Sequence, residues 1–183
     1  NQGMGSMNLG TAFDDAWRIH RDQVAADLFT ASGQSRVFRG FVIEANRPVR
    51  VTLAWTDAPG STTGNAYNND LDLTVTVGDQ TYRGNVFNGA FSVTGGTADP
   101  RNNVESVFLS PGLDGPITVT VTAANINSDG VPGNATALDQ DFALVIYNAN
   151  EHEVILVPTH STLEAESCIS PNGVVDPGET VTV

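Results

Sequence analysis

Apolar and polar residues alternate along Pro48-Val-Arg-Val-Thr-Leu-Ala-Trp55. A period of two is typical of a β-strand with one buried and one solvated face. Trp55 shares its face with Leu53 and Val51, so we expect its ring in a core. The preceding run, Arg36-Val-Phe-Arg-Gly-Phe-Val-Ile43, is rich in β-branched and aromatic residues and is also predicted to be a strand.

The rest of the chain repeats this pattern with little sign of helix. Residues 11–30 alone are helix-like, and we expect a short turn or helix there that leads into a strand. Further strands, separated by Gly, Pro, Asn and Asp clusters, are predicted at residues 71–77, 81–84, 104–109, 116–124 and 141–147. The pattern predicts an all-β fold, an antiparallel jelly-roll β-sandwich. Its expected inward side chains are Leu53, Trp55, Leu71, Leu73, Phe108, Phe142, Leu144 and Ile146.

The charge of the chain limits its partners. Eight Lys and Arg residues stand against 21 Asp and Glu residues among 183, a formal net charge of -13. Phosphate backbones and anionic lipids would be repelled, so neither nucleic acid nor membrane is expected as a partner. Divalent cations suit the Asp, Asn and Gly content better, although a merely solvated acidic surface would have the same composition.

Two acidic side chains mark the most informative segment, Asn68-Asn-Asp-Leu-Asp-Leu73. Strand geometry places Asp70 and Asp72 on one face, where they repel each other unless a cation or donors lie between them. Long polar connections at residues 57–69, 87–103 and 125–140 would be ordered by a bound ion. The alternative is a solvent-facing acidic edge beside an Asn-rich turn.

A second oxygen-rich group precedes the strand at 104–109. Asp99-Pro-Arg-Asn-Asn-Val-Glu105 is either a β-turn with a local ion pair or a set of ligands, and Asp57 is either a turn residue or a ligand beside Asp70. Ca²⁺ takes about six to eight oxygens, so several loops would have to converge. The candidate calcium ligands are Asp57, Asn69, Asp70, Asp72, Asp99, Asn102, Asn103 and Glu105.

No pattern in the sequence supports catalysis by this chain. His20, His152 and His160 are scattered and lack the spacing of a catalytic triad or of a zinc site. Cys168 is the only cysteine, so no disulfide forms within the chain. We therefore expect a chain that is not an enzyme in itself.

Several motifs occur in the order found in one protein family. They are Val51-Thr-Leu-Ala-Trp-Thr-Asp-Ala-Pro-Gly-Ser-Thr-Thr63, Asn69-Asp-Leu-Asp-Leu73, Tyr82-Arg-Gly-Asn-Val-Phe87, Arg101-Asn-Asn-Val-Glu105 and Gln140-Asp-Phe-Ala-Leu-Val-Ile-Tyr-Asn148. Together they resemble the C-terminal jelly-roll barrel of secreted alkaline subtilases, which is similar to the P-domain of proprotein convertases. The opening residues 1–9 are similar to the last catalytic-domain segment of those enzymes, except at Met4 and Met7.

The resemblance implies an organisation and a set of partners. Residues 1–22 would be the remnant of a catalytic domain with its linker, residues 23–150 the sandwich, and residues 151–183 a connector and the truncated start of a further β-domain. It also implies bound Ca²⁺, an extracellular, bacterial-type location and packing on the catalytic domain of the same polypeptide, in a monomer. No residue of the Asp/His/Ser triad can be carried over, because the family motifs around them are missing from this chain.

A second hypothesis comes from a different class of function. Jelly rolls also serve as binding modules for polysaccharide or insoluble protein, and the fold alone does not decide between the two. Sugar binding would require an exposed row of aromatic side chains. The candidates are Tyr67, Tyr82, Phe87 and Phe91.

Overall fold

A computed structural model describes residues 8–64, 66–151, 165–166 and 181–182. The expected catalytic-domain residues 1–7 and most of the expected connector and further β-domain lie outside these residues. The chain divides into two compact units, Asn1–His152 and Glu153–Val183. In the second unit, β11 (Ala165–Glu166) pairs with β12 (Val181–Thr182) in antiparallel fashion.

The described residues of the first unit form one short α-helix, α1 (Leu9–Ala12), a 3₁₀ turn at Ala25–Asp27, and ten strands. The strands are β1 (Arg18–Asp22), β2 (Ser35–Val42), β3 (Val49–Ala54), β4 (Asp70–Val77), β5 (Gln80–Asn88), β6 (Phe91–Thr94), β7 (Val104–Leu109), β8 (Gly115–Asn125), β9 (Ala143–Tyr147) and β10 (Ala149–Glu151).

Two antiparallel sheets pack together as a β-sandwich. One has the order β1-β9-β3-β7 and the other β10-β2-β8-β4-β5-β6. The chain passes from one sheet to the other at most of its connections, which is the arrangement of a jelly roll. The predicted fold class is confirmed.

The core lies between the sheets and follows the predicted alternation with one exception. Trp55 and six other predicted core residues are buried, but Phe108 is only half-buried, so its prediction is wrong. Val107 and Leu109 face inward because they pair with the inward Val51 and Val49. Phe108 therefore lies on the outer face, where its ring packs on Phe87.

Three strands of the first unit, β1, β6 and β10, lie where the sequence predicted none, and β10 pairs with β2. β1 lies in the helix-like stretch, within the segment assigned to the linker, and pairs with β9 along its whole length. β6 lies in the expected loop 87–103 and closes a hairpin with β5, whose turn contains Gly89 at a φ of 66°. The two loop residues are Gly89 and Ala90, and glycine at the first position favours this kind of hairpin turn, so a signal for β6 was present at Gly89.

Candidate metal centre

Glu105 lies at the junction of the two sheets. It is in β7 and pairs with the inward Leu53, so its side chain enters the sandwich and is only 1% exposed. Its Oε2 accepts a hydrogen bond of 2.7 Å from the backbone N–H of Leu73 in β4, a strand of the other sheet. One carboxylate thus connects β7 to β4.

The Glu105 carboxylate has space because β5 stops pairing with β4 at this point. The two strands pair only from Thr74 to Val77, and β5 then continues toward β6 and β7. Gly84 lies where they separate, and a Cβ at this position would come within 2.1 Å of Glu105 Oε2. The absence of a side chain at Gly84 lets the carboxylate reach the open edge of β4.

Asp70 and Asp72 extend the group of acids along β4. Leu71 and Leu73 are buried in the core, so the two aspartates lie on the opposite face, as the alternation predicts. Asp70 Oδ1, Asp72 Oδ1 and Glu105 Oε1 are all buried and have no hydrogen-bond partner among the residues that the structure describes. Buried polar atoms are nearly always paired, so three unpaired carboxylate oxygens require an explanation.

Asp99 adds a fourth carboxylate from the turn before β7. It accepts hydrogen bonds from the side-chain amides of Asn85, at 2.8 Å, and Asn102, at 2.6 Å, and from the backbone N–H of Arg101. Asn85 also donates to Val104 O and accepts from Ser106 N–H. These bonds hold the turn against the start of β7.

Asn85 and Gly84 were missed among the predicted site residues. Their signal was the motif Tyr82-Arg-Gly-Asn-Val-Phe87, in which Asn85 adopts a positive φ of 60°. Asn tolerates this left-handed conformation better than most residues.

Burial and mutual repulsion disturb the titration of the acids on β4 and β7. Desolvation raises the pKa of Glu105 to about 8, and the charges of Asp72, Asp99 and Asp70 add to the effect. Desolvation is the main reason why the pKa of Asp70 is raised to about 6, and repulsion from Asp72 and Asp99 adds to the effect. The pKa of Asp72 is raised by desolvation and Asp99, against an opposing effect of Arg83.

Asp99 behaves differently because donors surround it. Burial opposes its ionisation, but the hydrogen bonds from Asn102, Asn85 and the backbone N–H groups hold its pKa below the usual value. An ionised Asp99 therefore lies beside three acids that are difficult to ionise. A cation among them would remove this conflict.

The donor set fits calcium in kind. Hard cations such as Ca²⁺ select carboxylate and amide oxygens, which Asp70, Asp72, Glu105, Asp99 and Asn102 offer. Within the described ranges, no three Asp, Glu, His or Cys side chains already have their donor atoms drawn together as in a formed metal centre. The acids form a loose group that would have to close around an ion.

Three predicted ligands lie apart from this group. Asp57 accepts the backbone N–H groups of Asn68, at 2.6 Å, and Asn69, at 2.9 Å, and so closes its own loop. Asn69 donates to Ser128 O, Asp139 O and Gln140 Oε1, and its Oδ1 accepts from Asn127 and Ser128. Asn103 donates its side-chain N–H to Trp55 O at 2.9 Å.

The loop at 125–140 is ordered by hydrogen bonds of the chain itself. Asp139 is fully buried, and its carboxylate accepts from Val131 N–H and from the side chain of Asn134. Gln140, also fully buried, donates to Thr56 O. Hydrogen bonds to side-chain amides and carboxylates thus order this loop, for which the sequence led us to expect a bound ion.

Of the other chemical groups considered from the sequence, the structure describes one histidine and four aromatic side chains. His20 is exposed on β1, whereas His152, His160 and Cys168 lie outside the described residues. Tyr67 and Phe91 are partly exposed, but Tyr82 packs against the core and Phe87 against Phe108. These four aromatic side chains therefore do not all offer exposed rings to a sugar.

Comparisons with known proteins leave the family open. No protein-family model matches this chain, and no curated protein has a significantly similar sequence. Among the residues that the structure describes, no helix is both long and apolar enough to cross a bilayer.

Proposed function

We propose that the sandwich is a calcium-binding, non-catalytic domain of a secreted subtilisin-like serine protease, which it stabilises. The calcium part is carried by three buried carboxylate oxygens, on Asp70, Asp72 and Glu105, that have no partner within the described part of the chain. The protease part rests on the order of the sequence motifs. The missing triad motifs support a non-catalytic role for this chain.

Asp70, Asp72 and Glu105 would hold the ion, with Asp99 and Asn102 on the adjoining turn. Calcium supplies positive charge at a place where the chain concentrates negative charge. The oxygens come from β4 in one sheet and from β7 and its preceding turn in the other. An ion here would therefore fasten the two sheets at one end of the sandwich.

The test is thermal unfolding in EGTA and in millimolar calcium at matched ionic strength, together with calorimetric titration of calcium. Calcium at 100 times its Kd stabilises the native state by about 2.7 kcal/mol. For a domain of this size that raises the Tm by about 5–10 °C. Equal melting temperatures and no heat of binding would refute the calcium proposal.

Matched variants locate the site. Asp70→Asn and Asp72→Asn should each remove most of the calcium response, since each loses a charged oxygen ligand. Asp79→Asn is the control, because Asp79 is exposed in the turn between β4 and β5 and has the same charge. A calcium response that all three variants retain would place the ion elsewhere.

A further inference from the structure

A cleft separate from the acidic group lies beside Trp55. It is lined by Trp55, Thr56, Asp57, Tyr67, Arg101 and Asn103, and has a volume of about 390 Å³. Its walls are the loop that follows β3 and the turn that precedes β7. The volume is within the range of about 300–1,000 Å³ that is usual for small-ligand sites.

The carboxylate that lines this cleft, Asp57, is hydrogen-bonded within its own loop. Each carboxylate oxygen of Asp57 accepts a backbone N–H from its own loop. Arg101 is exposed, and its guanidinium has no hydrogen bond or ion pair with the part of the chain that the structure describes. In a molecule of net charge -13, the cleft thus offers a local cation.

Asn103 and Trp55, which both line the cleft, carry further hydrogen-bonding groups. Asn103 uses its side-chain N–H on Trp55 O, so its Oδ1 remains as an acceptor. Trp55 is 6% exposed, and its Nε1–H is buried without a partner among the described residues. An indole N–H is only a donor, so its missing partner is an acceptor.

We propose that this cleft binds the C-terminal carboxylate of a peptide. Arg101 pairs with the carboxylate, since a guanidinium can bond both of its oxygens at once. Asn103 Oδ1 accepts a peptide N–H.

Charge favours a peptide end over an acidic polysaccharide. A polyuronate carries a charge on every sugar and would be repelled by a molecule of net charge -13. A peptide terminus brings a single carboxylate to Arg101. Tyr67 is also the only partly exposed aromatic ring that lines the cleft in the described residues, which is little for stacking sugars.

The experiment is an NMR titration of the chain with N-acetylated tetra-alanine, as the free acid and as the C-terminal amide. The chain has two Trp residues, so Trp17→Phe identifies the indole signal of Trp55. We expect a saturable shift of this signal with the free acid and at least tenfold weaker binding of the amide. Samples in calcium and in EGTA keep the result separate from the calcium proposal.

Variants and a second probe decide the outcome. Arg101→Gln should weaken binding of the free acid at least tenfold, whereas Arg39→Gln, the same charge change at an exposed site on β2, should leave its Kd unchanged. Equal binding of acid and amide, or an unchanged Kd in Arg101→Gln, would overturn the proposal. Binding of a digalacturonate without binding of the peptide would also overturn it and would make the cleft a saccharide site.

Discussion

A buried carboxylate such as that of Glu105 must hold a proton or lie beside a cation or hydrogen-bond donors. The backbone N–H of Leu73 donates to Oε2 of Glu105, whereas Oε1 has no hydrogen-bond partner among the described residues. Glutamine keeps the shape of the side chain and removes its charge. A glutamine at residue 105 therefore separates the effect of charge on calcium binding and stability from the effect of packing.

Glu105→Gln should lower calcium affinity at least tenfold, because a charged ligand becomes neutral. In EGTA at pH 9 the same variant should melt at or above the temperature of the unaltered protein, since no charge remains to be buried. Calorimetric titration and scanning calorimetry measure the two effects. Unchanged calcium affinity would show that Glu105 is not a ligand.

The raised pKa values also predict how stability depends on pH without calcium. The pKa of Glu105 is raised from 4.5 to about 8 and that of Asp70 from 3.8 to about 6, so the native state holds protons that the unfolded chain releases. Unfolding then releases protons between about pH 4 and 8, and stability falls as the pH rises through this window. In EGTA the Tm should be higher at pH 5.5 than at pH 8.5.

Calcium should reduce this pH dependence, because the ion replaces the protons on the same oxygens. Scanning calorimetry from pH 5 to 9, with and without calcium, provides the comparison. A Tm in EGTA that stays level or rises between pH 5.5 and 8.5 would contradict the assigned titrations.

At the scale of the elements, the separation of β5 from β4 makes the room in which the acids meet. Gly84→Ala would place a methyl group within 2.1 Å of Glu105 Oε2 and 2.7 Å of its Cδ. We expect it to lower the free energy of unfolding by about 1–3 kcal/mol, as for other overpacked sites. It should also weaken calcium binding, because the carboxylate is displaced.

The control is a double-mutant cycle with Glu105→Ala. Once Glu105 is shortened, the clash at residue 84 is relieved, so Gly84→Ala should cost less than it does alone. Urea unfolding gives all four free energies. Additive effects would mean that Gly84 has no direct relation to the carboxylate.

Periodicity predicted the central strands well, because each buries one face. β3, β4 and β9 show the expected alternation, whereas Phe108 was assigned to the wrong face of a short apolar strand. β1 has a single buried residue, Ile19, so its pattern carried little signal. This segment is a strand because it pairs with β9, and a local pattern of hydrophobic residues does not predict pairing between segments so far apart in the chain.

The candidate site was predictable only in part for the same reason. The common face of Asp70 and Asp72 follows from the strand period. The approach of Glu105 from the other sheet, and the hydrogen bonds from Asn85, depend on contacts between distant segments. Asn69 has a side chain that could bind calcium, but its amide instead makes hydrogen bonds with the loop at 125–140.

At the scale of the whole molecule, the chain should have no proteolytic activity of its own. It contains none of the subtilase triad motifs, so we expect no nucleophile paired with a base. Assays with casein and small peptide substrates should give only the rate of a buffer blank. Turnover that survives repurification and is abolished by a serine-directed inhibitor would be the contrary result.

Glu105 reaches across from β7 to β4, and this connection has a consequence for rates. The unfolded chain does not hold the acids together, so the proposed ion finds its ligands only after the two sheets have packed. Ions that bind late in folding leave the folding rate unchanged and slow unfolding. Calcium at 100 times its Kd should then lengthen the lifetime of the native state about 100-fold, as measured by unfolding rates in urea. A domain exposed to proteases would gain resistance through slow opening even where its equilibrium stability is modest.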